Sequence, residues 1–139
     1  MRAYVKLLRA SKSVLARVES RLHASNLTAT QLGVLEGILH RGPMSQRELG
    51  RKVLTSAGNM TDVIDKLERR GLVRRSRDPS DRRSVQVDLT PEGRNLIECL
   101  FPRHAADIAT AMNGLDQAEL AELSRLLRKL GLAAQAGQS

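Results

Sequence analysis

Between residues 66 and 83 the chain carries Lys66, Arg69, Arg70, Arg74, Arg75, Arg77, Arg82 and Arg83 against only Glu68, Asp78 and Asp81. Guanidinium groups at that density donate forked hydrogen bonds to phosphate or carboxylate oxygens, so a polyanion is the partner they fit. The same run also has a plainer reading as a solvated charged face, and Arg69 and Arg70 suit a helix C-terminus in any protein. The whole chain has a formal net charge of +8, with a basic stretch before Asn26 and a balanced one after Gly93. Other chemistry is thin. His23, His40 and His104 are scattered without metal-ligand spacing, and Cys99 is the only cysteine. No nucleophile–base pair, phosphate loop or metal cluster is legible, so neither catalysis nor a cofactor is expected. The aromatic residues are Tyr4 and Phe101, with no Trp, which excludes a base-stacking platform for single strands.

The elements that must hold these charges are read from periodicity. Residues 3–24 form an amphipathic helix with Tyr4, Leu8, Leu15, Val18 and Leu22 on one stripe, widened by Leu7 and Val14. That stripe is wide for a lone surface helix, and an intersubunit core is the expected cover. Thr28 to Gln31 has capping-box form and opens a second helix with Leu32, Leu35, Ile38 and Leu39, closed by Gly42 and Pro43. Ser45 to Glu48 is another capping box, opening a short helix with Leu49 and Val53 inward. A fourth begins near Ala57, buries Met60, Val63, Ile64 and Leu67, and closes at Gly71 with Leu72 against Leu67.

Alternation then replaces the helical period. Val73–Arg77 reads as a strand, Asp78–Asp81 as a turn and Ser84–Leu89 as a returning strand, with Val85, Val87 and Leu89 inward. Thr90, Pro91 and Glu92 restart helix through Leu96, Ile97, Leu100 and Phe101, and Pro102 is expected to kink or restart it. Cys99, at the edge of that stripe, is expected to be a small buried hydrophobe rather than a sensor. The last helix opens at the Asp116 cap with Glu119 and is expected to end at Gly131, leaving 133–139 as a frayed tail. The expected class is mainly α (α+β), a single domain over 1–139.

Helix, short helix, turn, helix and hairpin in that order make a DNA-docking unit, because a wide major groove admits one braced helix. The free face of the braced helix begins with Ser56, Gly58, Asn59, Thr61 and Asp62, small or hydrogen-bonding, with Lys66 placed for phosphate. Asp62 with Lys66 is equally an i,i+4 pair, and Asp65 a surface or intrahelical partner. Ser45 and Gln46 at the start of the short helix, and Arg75, Arg77, Asp81, Arg82 and Arg83 on the hairpin, complete the residues expected to face DNA. An arginine on a narrow projection fits the negative potential of a narrow minor groove. Asp81 repels phosphate, so its expected task is to orient an arginine.

At these positions the chain strongly resembles the MarR family of transcriptional regulators. The likeness is carried by Gly58-Asn-Met-Thr-Asp-Val-Ile-Asp-Lys-Leu-Glu-Arg-Arg-Gly-Leu-Val73, by Asp78-Pro-Ser-Asp-Arg-Arg83 and by Leu89-Thr-Pro-Glu-Gly93. The resemblance implies a winged helix-turn-helix over 28–93, flanked by dimerisation helices at 1–25 and 95–132. It implies a homodimer on a pseudo-palindromic duplex, with residues 56–66 in the major groove and Arg83 in the minor groove held by Asp81. It also implies a repressor that releases DNA when a small effector binds between platform and lobe, near His104. Family members that sense oxidants place a cysteine near the N-terminus, which this chain lacks. The reducing cytoplasm is the expected compartment, and no apolar run approaches the ~20 residues of a membrane span. The competing expectation is a winged-helix interaction module without DNA binding; acidic residues in place of Arg82 and Arg83 would have favoured it.

Overall fold

The computed structural model of the protein describes residues 1–53 and 57–137, with the backbone alone at Ala57 and Arg82. The chain opens with α1 (Arg2–Leu22), a single 3-10 turn at His23–Ser25, and Asn26 in the left-handed region at φ 56°. Then come α2 (Ala29–Arg41), a two-residue β1 (Met44–Ser45), α3 (Gln46–Lys52) and α4 (Ala57–Arg69). The hairpin of β2 (Val73–Asp78) and β3 (Asp81–Leu89) follows, and α5 (Pro91–Ala111) and α6 (Gln117–Ala136) complete the chain.

Local chemistry sets the boundaries. Thr28, Ser45 and Asp116 each accept the N–H of the residue three positions on, and Gln31, Glu48 and Glu119 reach back to the cap N–H. Each cap is worth about 1 kcal/mol, which short helices such as α3 need. The end of α4 is a Schellman closure. Leu72 N–H donates to Leu67 O at 3.0 Å and Gly71 N–H to Glu68 O at 2.9 Å, with Gly71 at φ 71°.

The three strands form an antiparallel sheet in the order β1-β3-β2, pairing Met44 with Val87 and Val73 with Leu89. β1 is too short to show alternation in sequence and exists through its partner. Leu32, Val34, Leu35 and Ile38 of α2, Leu49 of α3, Met60, Ile64 and Leu67 of α4, Val87 of β3 and Ile97 of α5 are wholly sealed from solvent. Burial of each such side chain contributes about 1.5–3 kcal/mol, so this lobe carries its own core.

The lobe is fastened where α5 starts. The Thr90 hydroxyl accepts from Gly93 N–H at 3.0 Å and donates to Gly71 O at 2.6 Å, while Thr90 N–H donates to Leu72 O at 3.1 Å. Gly93 faces the Leu72 carbonyl so closely that any β-carbon there would collide with it. A second fastening lies at the other crossing, where Arg70 Nη1 donates to the backbone carbonyl of Asn26 at 2.7 Å.

Four expectations are corrected. α5 does not restart at Pro102 but runs on to Ala111; proline removes one N–H, and the helix continues because α5 packs along both α1 and α2. α6 passes Gly131 and extends to Ala136, since an isolated glycine inside a Leu- and Ala-rich helix costs only ~1 kcal/mol. Val85 is 40% exposed, because the hairpin projects past the body of the lobe, which ends at Val87. Cys99 is exposed, two residues along α5 from the buried Ile97 and so turned away from it.

Candidate nucleic-acid interface

α4 is an amphipathic rod whose inner residues Met60, Val63, Ile64 and Leu67 are buried, while Gly58, Asn59, Thr61, Asp62 and Lys66 are exposed. Those five are the part of the expected reading surface that the structure places on one outward face. Asp62 and Lys66 form the i,i+4 ion pair at 2.9 Å with both side chains more than half exposed. Such a pair contributes at most about 1 kcal/mol, so an approaching phosphate competes easily for the ammonium. Ser56 lies outside the described residues.

The start of α3 is tied to this face. Ser45 spends its hydroxyl on the cap, accepting from Glu48 N–H at 3.2 Å. Gln46 donates from Nε2 to Thr61 Oγ1 at 3.2 Å, so the two helices are hydrogen-bonded as well as packed.

On the wing, the tip is a tight turn in which the Asp78 carboxylate accepts from Ser80 Oγ at 2.7 Å and from Ser80 N–H at 2.9 Å. Those bonds hold the Asp78 carboxyl below the usual aspartate range, the hydroxyl contributing most. Asp81 Oδ1 accepts the Arg83 N–H at 3.0 Å. The expected hold of Asp81 on Arg83 is therefore on the backbone, and the Arg83 guanidinium makes no ion pair among the described residues. Arg77 is likewise exposed and makes none among the described residues. The Arg82 side chain lies outside what is described.

Arg75 departs from the group. Its side chain is 23% exposed and turned inward, with Nη2 at 2.7 Å from Asp65 Oδ1, Nη1 at 2.9 Å from Glu68 Oε1, and Nε donating to Gln46 Oε1 at 2.9 Å. Asp65, expected to sit on the surface or pair within its helix, instead pairs with the wing. Sequence reasoning missed this because three partners at separations of 7, 10 and 29 residues leave no periodic signal.

His104 lies away from this surface, on α5 where it meets α2. Its side chain is 10% exposed, Nε2 is 3.7 Å from Glu36 Oε1, and Nδ1 has no hydrogen-bond partner among the described residues. Beside it a cavity of about 130 Å³ is lined by Arg21, Leu22, Ser25, Leu100, Arg103 and Asp107 among others, with Arg21 and Asp107 paired at 3.1 Å. Among the described residues no group of three or more His, Cys, Asp or Glu could hold a metal ion. No helix among them is long and apolar enough to cross a membrane.

A helix braced by a shorter one, presenting its polar face beside a two-stranded wing with uncommitted arginines, defines a winged helix-turn-helix protein. Residues 27–85 match the MarR family. The chain is 40% identical over 137 residues to YkoM, an HTH-type transcriptional regulator of Bacillus subtilis, covering 97% of this chain and 88% of the relative. Its fold superposes with a TM-score of 0.83 and 33% identity on BpsR of Bordetella bronchiseptica, whose DNA binding is regulated by 6-hydroxynicotinic acid, covering 94% of this chain and 99% of that one. It matches a variant of MarR from E. coli complexed with operator DNA at a TM-score of 0.83 and 25% identity, covering 94% of each chain. The chain belongs to the MarR family and is a DNA-binding transcriptional regulator. The relatives that share its length are regulators rather than enzymes.

Proposed function

We propose that this regulator acts as a homodimer on a pseudo-palindromic operator, each protomer setting α4 into a major groove and its wing into the adjoining minor groove. The carrying observation is the exposed face of Gly58, Asn59, Thr61, Asp62 and Lys66 next to a wing whose Arg77 and Arg83 are unpaired among the described residues. The solved complex of E. coli MarR with operator DNA supports the same use of the fold. Asn59 is suited to a bidentate contact with adenine, Thr61 to base or phosphate, and Arg83 to the narrow minor groove. A second copy is called for by the platform, where Tyr4, Leu8 and Leu15 of α1 and Leu126, Leu127 and Leu130 of α6 stand exposed. Occupying a promoter by such a dimer blocks polymerase, and repression is the sign of regulation this reading carries. A DNA partner places the protein in the cytoplasm.

The effector reading rests on the His104 cavity. Buried polar atoms normally find partners, and His104 Nδ1 has none among the described residues. The cavity, at about 130 Å³, is below the ~300–1,000 Å³ of pockets for drug-sized ligands, so it suits a small molecule. Arg103 on its wall, beside the Arg21–Asp107 pair, favours an acid, as in the regulation of BpsR by 6-hydroxynicotinic acid.

The test is operator binding by Arg83→Ala. A duplex enriched from a random pool by the wild-type protein serves as probe in an anisotropy titration. Affinity is expected to fall by about 1–3 kcal/mol, with the salt slope reduced by about one unit. A wild-type protein that enriches no sequence sinks the whole reading; an unchanged Arg83→Ala isotherm removes the wing from it.

A further inference from the structure

We infer that Arg75 is a positioning residue for DNA recognition: it locks the wing at a fixed angle to the reading helix and touches no DNA itself. The inference rests on the DNA-binding reading given above. All three guanidinium nitrogens are engaged within the lobe, two by Asp65 and Glu68 one helical turn apart on α4 and the third by Gln46 on α3. Glu68 adds a second tie through its other oxygen, which accepts the Arg75 backbone N–H at 3.1 Å. Gln46 carries the connection on to Thr61, so β2, α3 and α4 meet in one chain of hydrogen bonds. Three of its five N–H donors are committed within the lobe, whereas Arg77 and Arg83 form no ion pair among the described residues.

The geometry matters because a winged helix grips two grooves at once. A site is as exact as the shell supporting it, and here one side chain supplies that shell between the two gripping parts. Charge matters too. Asp65 and Glu68 lie on the reading helix, and Arg75 pairs with both, offsetting one of their two negative charges. Arginine is required for this: lysine keeps the charge but has neither the planar fork nor the reach to three acceptors.

The experiment compares Arg75→Lys, Arg75→Gln and Asp65→Asn on the wild-type-selected duplex and on a scrambled duplex, across a salt series. Positioning predicts that all three weaken specific binding by roughly tenfold, in the range of couplings within a shared network. It predicts scrambled-duplex binding within about twofold of wild type and an unchanged salt slope. Asp65→Asn is the sharpest arm, because it raises the net charge yet is expected to bind the selected duplex less well. The inference is overturned if Arg75→Lys behaves as wild type, if Arg75→Gln lowers the salt slope by about one unit, or if Asp65→Asn binds more tightly. Loss of helical circular dichroism together with loss of scrambled-duplex binding would also overturn it, by making Arg75 a determinant of the fold alone. Failure of the wild-type protein to select any duplex would instead strike the DNA-binding reading beneath it.

Discussion

Ile64 and Leu67 on α4 are wholly sealed from solvent, whereas Leu126 and Leu130 on α6 are 47% and 54% exposed. Both pairs are aliphatic, both sit on regular helices with defined stops, and both belong to stripes of helical period. The difference is one of address. In the lobe, α2, α3, α4 and the sheet close over one another within a single chain; on the platform, α1 buries only Val18 and Leu22, and α6 buries nothing. Two physically alike stripes thus teach different things: the first is a finished core and the second, on the homodimer reading proposed above, is half of one.

The largest expected effect attacks the unfinished half. Leu130→Glu adds a carboxylate where the protomer alone leaves the side chain in water, so the isolated chain should fold unharmed. In an intersubunit core the same carboxylate is desolvated at a cost of several kcal/mol. Sedimentation is expected to show monomer, and operator affinity to fall by roughly a hundredfold or more. A variant that remains dimeric at wild-type concentrations breaks the comparison.

Next comes the finished half. Ile64→Ala should cost about 2–5 kcal/mol in urea unfolding of the lobe, from lost burial and the cavity left behind. The cost should be the same within about 0.5 kcal/mol in the wild-type and Leu130→Glu backgrounds, because the two sites share no partner. A loss that differs between backgrounds would mean the lobe core also depends on the second copy.

The smallest effect concerns the wing tip, which belongs to the self-contained region and is held by local bonds. The Ser80 bonds lower the Asp78 carboxyl below the ordinary value of 3.8. A depressed carboxylate stabilises the fold above its unfolded value, and that contribution fades as pH falls through the folded value. The Ser80 amide resonance should therefore stay fixed from pH 5 to 8 and move only below about 3.8. Movement near neutrality would show that the tip is not held this way.

Most of the lobe was legible in the residues because its signals are local. The Thr28 and Ser45 capping boxes lie within four residues, and the Gly71–Leu72 closure within six. The Leu89, Thr90 and Gly93 pattern acquires its reason only in three dimensions: a core residue, a hydroxyl bridging two helix ends, and a β-carbon that cannot be there. The exposed face of α4 could be read because it is what remains when the buried stripe is subtracted. What escaped depends on distant partners. Arg75 looks like its neighbours Arg74 and Arg77 until Asp65, Glu68 and Gln46 are seen around it. Pro102 signals a break whose outcome the packing of α5 decides, and Val85 keeps the alternation of its strand but lies beyond the core that would bury it. β1 has no independent signal at all.

The chain crosses between platform and lobe twice, at Asn26 on the way in and at Thr90 on the way out. Both crossings are moored to the same short stretch, Asn26 through Arg70 and Thr90 through Gly71, adjacent residues at the tail of the reading helix. The two ropes therefore share one cleat. A shear of α1 against α5 would pull on that stretch, and the helix proposed to meet the duplex would be steered from its stern.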